Sequence, residues 1–183
     1  MPHELHKALT DGAGAVCALV GGTCIDELLG NILRAFMADV PSTDELLNDR
    51  GAMASFSVRS DVCYSLGLLS SKDYININLI RKIRNRFAHT ILALDFDDRE
   101  IQGYCSTFDF SDWRHKLTGK PINTPQWNSD PRRDRPLNAP TKARSRFSWA
   151  IRLTRTRLLA TCALVRQQKC LSLPVILEGN FTT

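Results

Sequence analysis

The run Ile77-Asn78-Leu79-Ile80-Arg81-Lys82-Ile83-Arg84-Asn85-Arg86-Phe87-Ala88-His89 decides the fold class. Ile77, Ile80, Ile83 and Phe87 recur at three- and four-residue steps. At 3.6 residues per turn they fall on one face of a helix. The spacing predicts a helix from about Lys72 to His89, with Ser71 as its N-cap. Arg84 lies at the edge of the buried face, whereas Arg81, Asn85 and His89 share an adjacent face at i, i+4 and i+8. A guanidinium at a core boundary needs a carboxylate or carbonyl partner, because an unpaired buried charge is expensive. Asp61 or an acid of the first helix could supply one. His89 stands at the helix C-terminus, where the macrodipole favours positive charge.

The same periodicity extends on both sides of this run. From about His3 to Ala38, Leu9, Val16, Leu19, Val20, Ile25, Leu28, Leu29, Ile32, Leu33 and Phe36 keep a helical step. Gly12, Gly14 and Gly21-Gly22 interrupt it, each at a cost of up to about 1 kcal/mol against Ala. Either the helix bends at these glycines or another backbone packs close. Pro41 ends this segment, and Ser42-Thr43-Asp44-Glu45 can cap a short helix through Leu47. The segment from about Ser55 to Leu69 places Phe56, Val62, Cys63, Leu66 and Leu69 for burial.

Downstream, Thr90 to Phe96 reads as a connection, and Asp97 with Glu100 makes a capping box opening a short helix to about Ser106. The pattern then stops, and residues 109–141 form an irregular loop with Pro121, Pro125, Pro131, Pro136 and Pro140, far longer than a usual connection. A last helix from about Thr141 to Cys170 carries Phe147, Ala150, Ile151, Leu158, Cys162 and Val165 as its apolar stripe. Arg144, Arg152, Arg155 and Arg166 fall toward its other side. The expectation is a single all-α domain over residues 1–183: a bundle of about five helices with a long Pro/Arg-rich loop before the last.

Composition sets the function classes. The 183 residues are 43% hydrophobic and 23% charged, as in an ordinary globular protein, which excludes a wholly disordered or collagen-like chain. The longest uncharged apolar stretch, Gly12 to Ile25, is short of the ~20 residues of a membrane span. Met1-Pro2-His3-Glu4 opens no secretory signal, so a cytoplasmic protein is expected. The cysteines at 17, 24, 63, 105, 162 and 170 make no Cys-x-x-Cys pair and are expected to be reduced, and Cys17, Cys24, Cys63 and Cys162, which lie in apolar runs, read as small buried hydrophobes. His3-Glu4-Leu5-His6 has no third ligand in view, so no metal or cofactor is expected. No phosphate-binding glycine loop or nucleophile elbow is present.

The net charge of +5 is uneven: Pro131 to Lys169 holds eleven Lys/Arg and one acid, Asp134. This basic third is a candidate surface for an anionic partner. Arg144, Arg152 and Arg155 are the candidate nucleic-acid contacts, to phosphates and therefore salt-dependent. The plain alternative is a solvated helix face.

Two family resemblances add to this reading. Gly51 to Asp98 resembles the core of the mannitol operon repressor family. The run Ala52-Met53-Ala54-Ser55-Phe56-Ser57-Val58-Arg59-Ser60-Asp61-Val62-Cys63-Tyr64-Ser65-Leu66-Gly67-Leu68-Leu69 is similar to that family's Gly-x-x-x-x-Leu/Phe-Ser-x-Arg and Tyr-x-Leu-Gly segments. Phe96-Asp97-Asp98-Arg99-Glu100-Ile101 matches a later one, and the likeness covers about residues 10–108 and 144–168. It implies an all-helical transcriptional repressor with no helix-turn-helix of its own, acting through a protein partner and as a homodimer.

Separately, Arg84-Asn85-Arg86-Phe87-Ala88-His89 is similar to the Arg-polar-x-x-x-His motif of HEPN-type ribonucleases. That resemblance implies metal-independent RNA cleavage, with His89 as acid/base, Arg84 stabilising phosphoryl charge and Asn85 orienting one of them. A structural arginine beside a helix-terminal histidine is the alternative. For Ser57 and Arg59 the reading favours local capping and pairing over ligand binding.

Overall fold

The computed structural model describes residues 3–90, 94–110 and 141–171. Among them the secondary structure is entirely helical: α1 (His3–Thr10), α2 (Gly14–Phe36), α3 (Pro41–Leu47), α4 (Phe56–Ser65), α5 (Ser71–His89), α6 (Arg99–Thr107) and α7 (Ala143–Leu171). The all-α expectation is met, with seven helices rather than about five. Most of the expected loop 109–141 lies outside the described residues.

The glycines of the first segment divide into two roles. At Asp11–Ala13 the helix is interrupted, and the amides of Asp11 and Gly12 both return to the Lys7 carbonyl, closing α1. At Gly21 and Gly22, α2 runs on unbroken because neighbouring side chains press against the helix. A Cβ on Gly21 would lie 3.0 Å from Ile151 Cγ1 of α7, and one on Gly22 would lie 2.6 Å from Arg84 Cγ of α5. The two glycines let α7 and α5 approach α2 from its two sides.

This makes α2 the centre of the bundle, packed against α1, α4, α5 and α7. At 23 residues and a mean hydropathy of 1.5 over its most apolar window, α2 is long and apolar enough to cross a membrane by length and composition. It exceeds the uncharged run 12–25 because the helix continues through Asp26, Glu27 and Arg34. Its apolar face, including Cys17, Ala18, Ile25, Leu29, Ile32 and Leu33, is buried in the bundle. The core is completed by Ile77, Ile80, Ile83 and Phe87 from α5 and by the expected α7 stripe, all six members of which are buried. Phe147 is fully buried, its ring centroid 5.3 Å from Phe96 and 6.5 Å from Phe108.

Helix ends follow local chemistry, within a residue or a few of the expected positions. α5 begins one residue early: Ser70 Oγ accepts from the Asp73 amide at 3.1 Å, so Ser70, not Ser71, is the N-cap. At α6 the cap is Asp98 rather than Asp97, because only its carboxylate reaches the amides of Glu100 and Ile101. α3 starts at Pro41 itself, whose locked φ suits the first helical position, and Val40 stands at the N-cap. α4 stops at Ser65, short of the expected Leu69. Gly67 takes φ +70°, and the amides of Gly67 and Leu68 return to the carbonyls of Tyr64 and Cys63. This is the Schellman pattern, and it turns Leu66 outward instead of into the core.

Candidate functional site: the groove between helices α5 and α6

The last three turns of α5 carry the residues singled out from sequence. The aliphatic stem of Arg84 lies on the α2 backbone at Gly22, and its Nη1 donates to Asn85 Oδ1 at 3.0 Å. Neither of the expected acids pairs with it directly. Asp61 accepts from the Tyr74 hydroxyl at 2.7 Å, and Asp26 accepts from Arg59 Nη1 at 3.0 Å. Burial raises the Asp26 carboxyl above its ordinary value, and the charge of Arg59, with a smaller part from Arg84, opposes that rise. Arg59 also donates to the Met53 and Leu47 carbonyls at 2.9 and 3.1 Å, so its role is local tethering.

Asn85 and His89 line an open groove of about 300 Å³ with Lys82 and Arg86 of α5 and Glu100 and Tyr104 of α6. Lys82, Asn85, Arg86 and His89 share one helix face at i, i+3, i+4 and i+7. Arg84 is not among the lining residues; its guanidinium is bonded to Asn85, which is. Arg81, expected beside Asn85 and His89, is turned toward Asn78, to whose Oδ1 it donates at 3.2 Å.

The far wall is a carboxylate with both oxygens engaged. Glu100 Oε2 pairs with Arg86 Nε at 2.9 Å, and Oε1 accepts from the Tyr104 hydroxyl at 2.8 Å. That hydrogen bond is the main reason the Tyr104 phenol is raised above its ordinary value. Among the described residues, Lys82 Nζ, Asn85 Nδ2 and the His89 ring have no hydrogen-bond or ion-pair partner. Lys82, Arg86, Glu100 and Tyr104 were not singled out from sequence. The signal for the first two was the face shared with Asn85 and His89. Nothing local marked the two from α6.

The basic last helix is largely turned inward. Arg144 donates to the carbonyls of Thr10 and Gly12, closing the break between α1 and α2. Arg146 donates to the carbonyls of Cys105 and Phe108 at 2.7 and 3.0 Å and stacks on Phe110. Arg157 pairs with buried Asp73 at 3.0 Å. Arg152 Nη2 lies 3.4 Å from His6 Nδ1, while its Nε is buried with no partner. Arg155 is half-buried and acts on the Cys24 thiol. Arg132, Arg133 and Arg135 lie outside the described residues. Among the described residues no group of three or more His, Cys, Asp or Glu is placed to hold a metal ion.

No curated protein sequence matches the chain. Among solved structures it is similar to the MtlR–HPr complex from Escherichia coli, with 16% sequence identity and a TM-score of 0.55. The alignment covers 89% of this chain and 96% of that one, a likeness of fold. The family model described as mannitol repressor matches residues 22–156, which takes in α4, α5 and α6 and most of α2. The chain therefore belongs to the mannitol repressor family.

Proposed function

We propose that this chain is a cytoplasmic, homodimeric regulator of transcription that acts mainly through contact with a protein partner. The family match across residues 22–156 carries this reading. The structural neighbour supports the protein-contact part, since that relative is seen in complex with HPr. The engagement of Arg144, Arg146 and Arg157 within the fold also favours it over direct DNA binding. Any nucleic-acid contact through Arg144, Arg152 and Arg155 is then accessory and salt-dependent. Purified chain mixed with HPr is expected to co-elute on size exclusion with light scattering, and the chain alone to run as a dimer. A monomer that leaves HPr untouched would sink the proposal.

A second reading, a metal-independent HEPN-type endoribonuclease, is favoured by one observation. Asn85 connects the Arg84 guanidinium to the open groove that His89 borders. In that reading His89 is the acid/base, and Arg84 stabilises charge on the phosphoryl oxygens. RNA cleavage in EDTA, with 2′,3′-cyclic phosphate ends and lost in His89→Ala, would establish it. Intact RNA from folded, dimeric protein would leave the regulator alone.

A further inference from the structure

We propose that the groove between α5 and α6 is a binding site for a phosphate monoester. Three hydrogen-bond donors of different chemistry line it without a partner among the described residues: the Lys82 ammonium, the Asn85 amide nitrogen and the His89 ring. They stand on successive turns of one helix face and line the same groove. Asn85 is held in the donating orientation, because its oxygen is occupied by Arg84.

Glu100 shows what kind of group belongs there. It is an intramolecular anion brought from α6 onto the cationic face of α5, where it satisfies Arg86 and takes the Tyr104 hydroxyl. One carboxylate neutralises one guanidinium. Lys82 remains uncompensated, with His89 as a further donor in the same groove. A second anion with several oxygens fits that remainder. A phosphate monoester carries about −1.5 to −2 charge near pH 7 and three strong acceptor oxygens. The groove volume of about 300 Å³ leaves room for the organic part of the ester. Lys is suited to such a head as a compact point charge. The C-terminus of α5 opposes an anion through its open carbonyls, and the Thr90 hydroxyl, which donates to the Arg86 carbonyl at 2.6 Å, caps one of them.

The ester can come from a small metabolite or from a phosphorylated side chain. The test therefore uses two probes, glycerol 1-phosphate and a phosphoserine peptide, at matched ionic strength. Full-length protein with labelled histidine is followed by NMR, and affinity is read by calorimetry. Both probes are expected to shift the His89 ring resonances, and the tighter one identifies the source. Lys82→Ala and His89→Ala are expected to weaken binding about ten-fold each, the factor worth about 1.4 kcal/mol. Glu100→Gln removes the competing carboxylate and is expected to tighten binding about three-fold.

Lys82 and His89 are exposed, so these variants keep the fold, and the gain in Glu100→Gln does not depend on a loss. The proposal is overturned if neither probe shifts His89 at about 10 mM, well above the millimolar range of a weak specific site. It is equally overturned if protein carrying both Lys82→Ala and His89→Ala binds as the parent does, or if a single-stranded oligonucleotide binds while both esters fail. HPr takes no part in these measurements, so their outcome is independent of the partner assay.

Discussion

Helices α5 and α7 are both rich in arginine and lysine, yet they use that charge in opposite ways. On α7 most cations turn inward, and three of them close other elements: Arg144 takes carbonyls at the end of α1, Arg146 takes those at the end of α6, and Arg157 takes Asp73 of α5. On the outer face of α5, Lys82 and His89 stand open over a groove. The more basic helix is thus the more structural one. A run of positive charge in a sequence counts charges without saying which of them already have partners.

The contrast can be tested by what each side protects and what its removal costs. Cys105, whose carbonyl Arg146 holds, has its thiol pushed up by burial to about 12, as does Cys63. At pH 8 a thiol of that kind is ionised at a fraction of about 10⁻⁴. Native protein is expected to leave both unlabelled by iodoacetamide while half-buried Cys24 reacts before Cys17, Cys63, Cys105 and Cys162, which are buried, as read by mass spectrometry. Early labelling of Cys105 would show that the α6–α7 contact opens easily.

Next in size, Phe147→Ala empties the centre of the α7 seam and is expected to cost about 3–5 kcal/mol in urea unfolding. Gly22→Ala forces a methyl onto the Arg84 stem and is expected to cost about 1–3 kcal/mol. It would also disturb the Arg84–Asn85 bond at the groove's edge. Arg146→Ala strips donors from three carbonyls at the end of α6, those of Cys105, Ser106 and Phe108, and is expected to cost about 1–3 kcal/mol. A neutral result there would erase the contrast between the helices. The smallest effects belong to Lys82→Ala and His89→Ala, expected within about 0.5 kcal/mol of the parent by thermal unfolding. A large loss from either would mean that the groove face, too, is structural.

Much of the fold was legible because its signals are local. Ile77, Ile80, Ile83 and Phe87 face the core as their spacing requires, and the α7 stripe is buried from Phe147 to Val165. The caps at Ser70 and Asp98 were each displaced by one residue. Both misplacements have one cause: two cap-competent residues stand side by side, and the choice depends on which side chain reaches the free amides. Of the candidate site, Asn85 and His89 were found and do share a groove. Arg81 was grouped with them, but its guanidinium follows Asn78 along its own helix. Glu100 and Tyr104 were out of reach, since nothing in the α5 sequence states that α6 will fold back beside it.

The all-helical class, the buried stripe of each long helix and the neighbourhood of most helix ends were set by the chain alone. They depend on residues within about four positions of one another, through helical periodicity and capping. Tertiary packing decided the rest. It parted the roles of the glycines, with a break at Gly12 and close approach of α7 and α5 at Gly21 and Gly22. It also selected which arginines would close distant carbonyls and which cations would stay open. A guanidinium on a long flexible stem takes its partner from whatever backbone the bundle brings within reach, and that backbone lies up to 134 residues away in the chain.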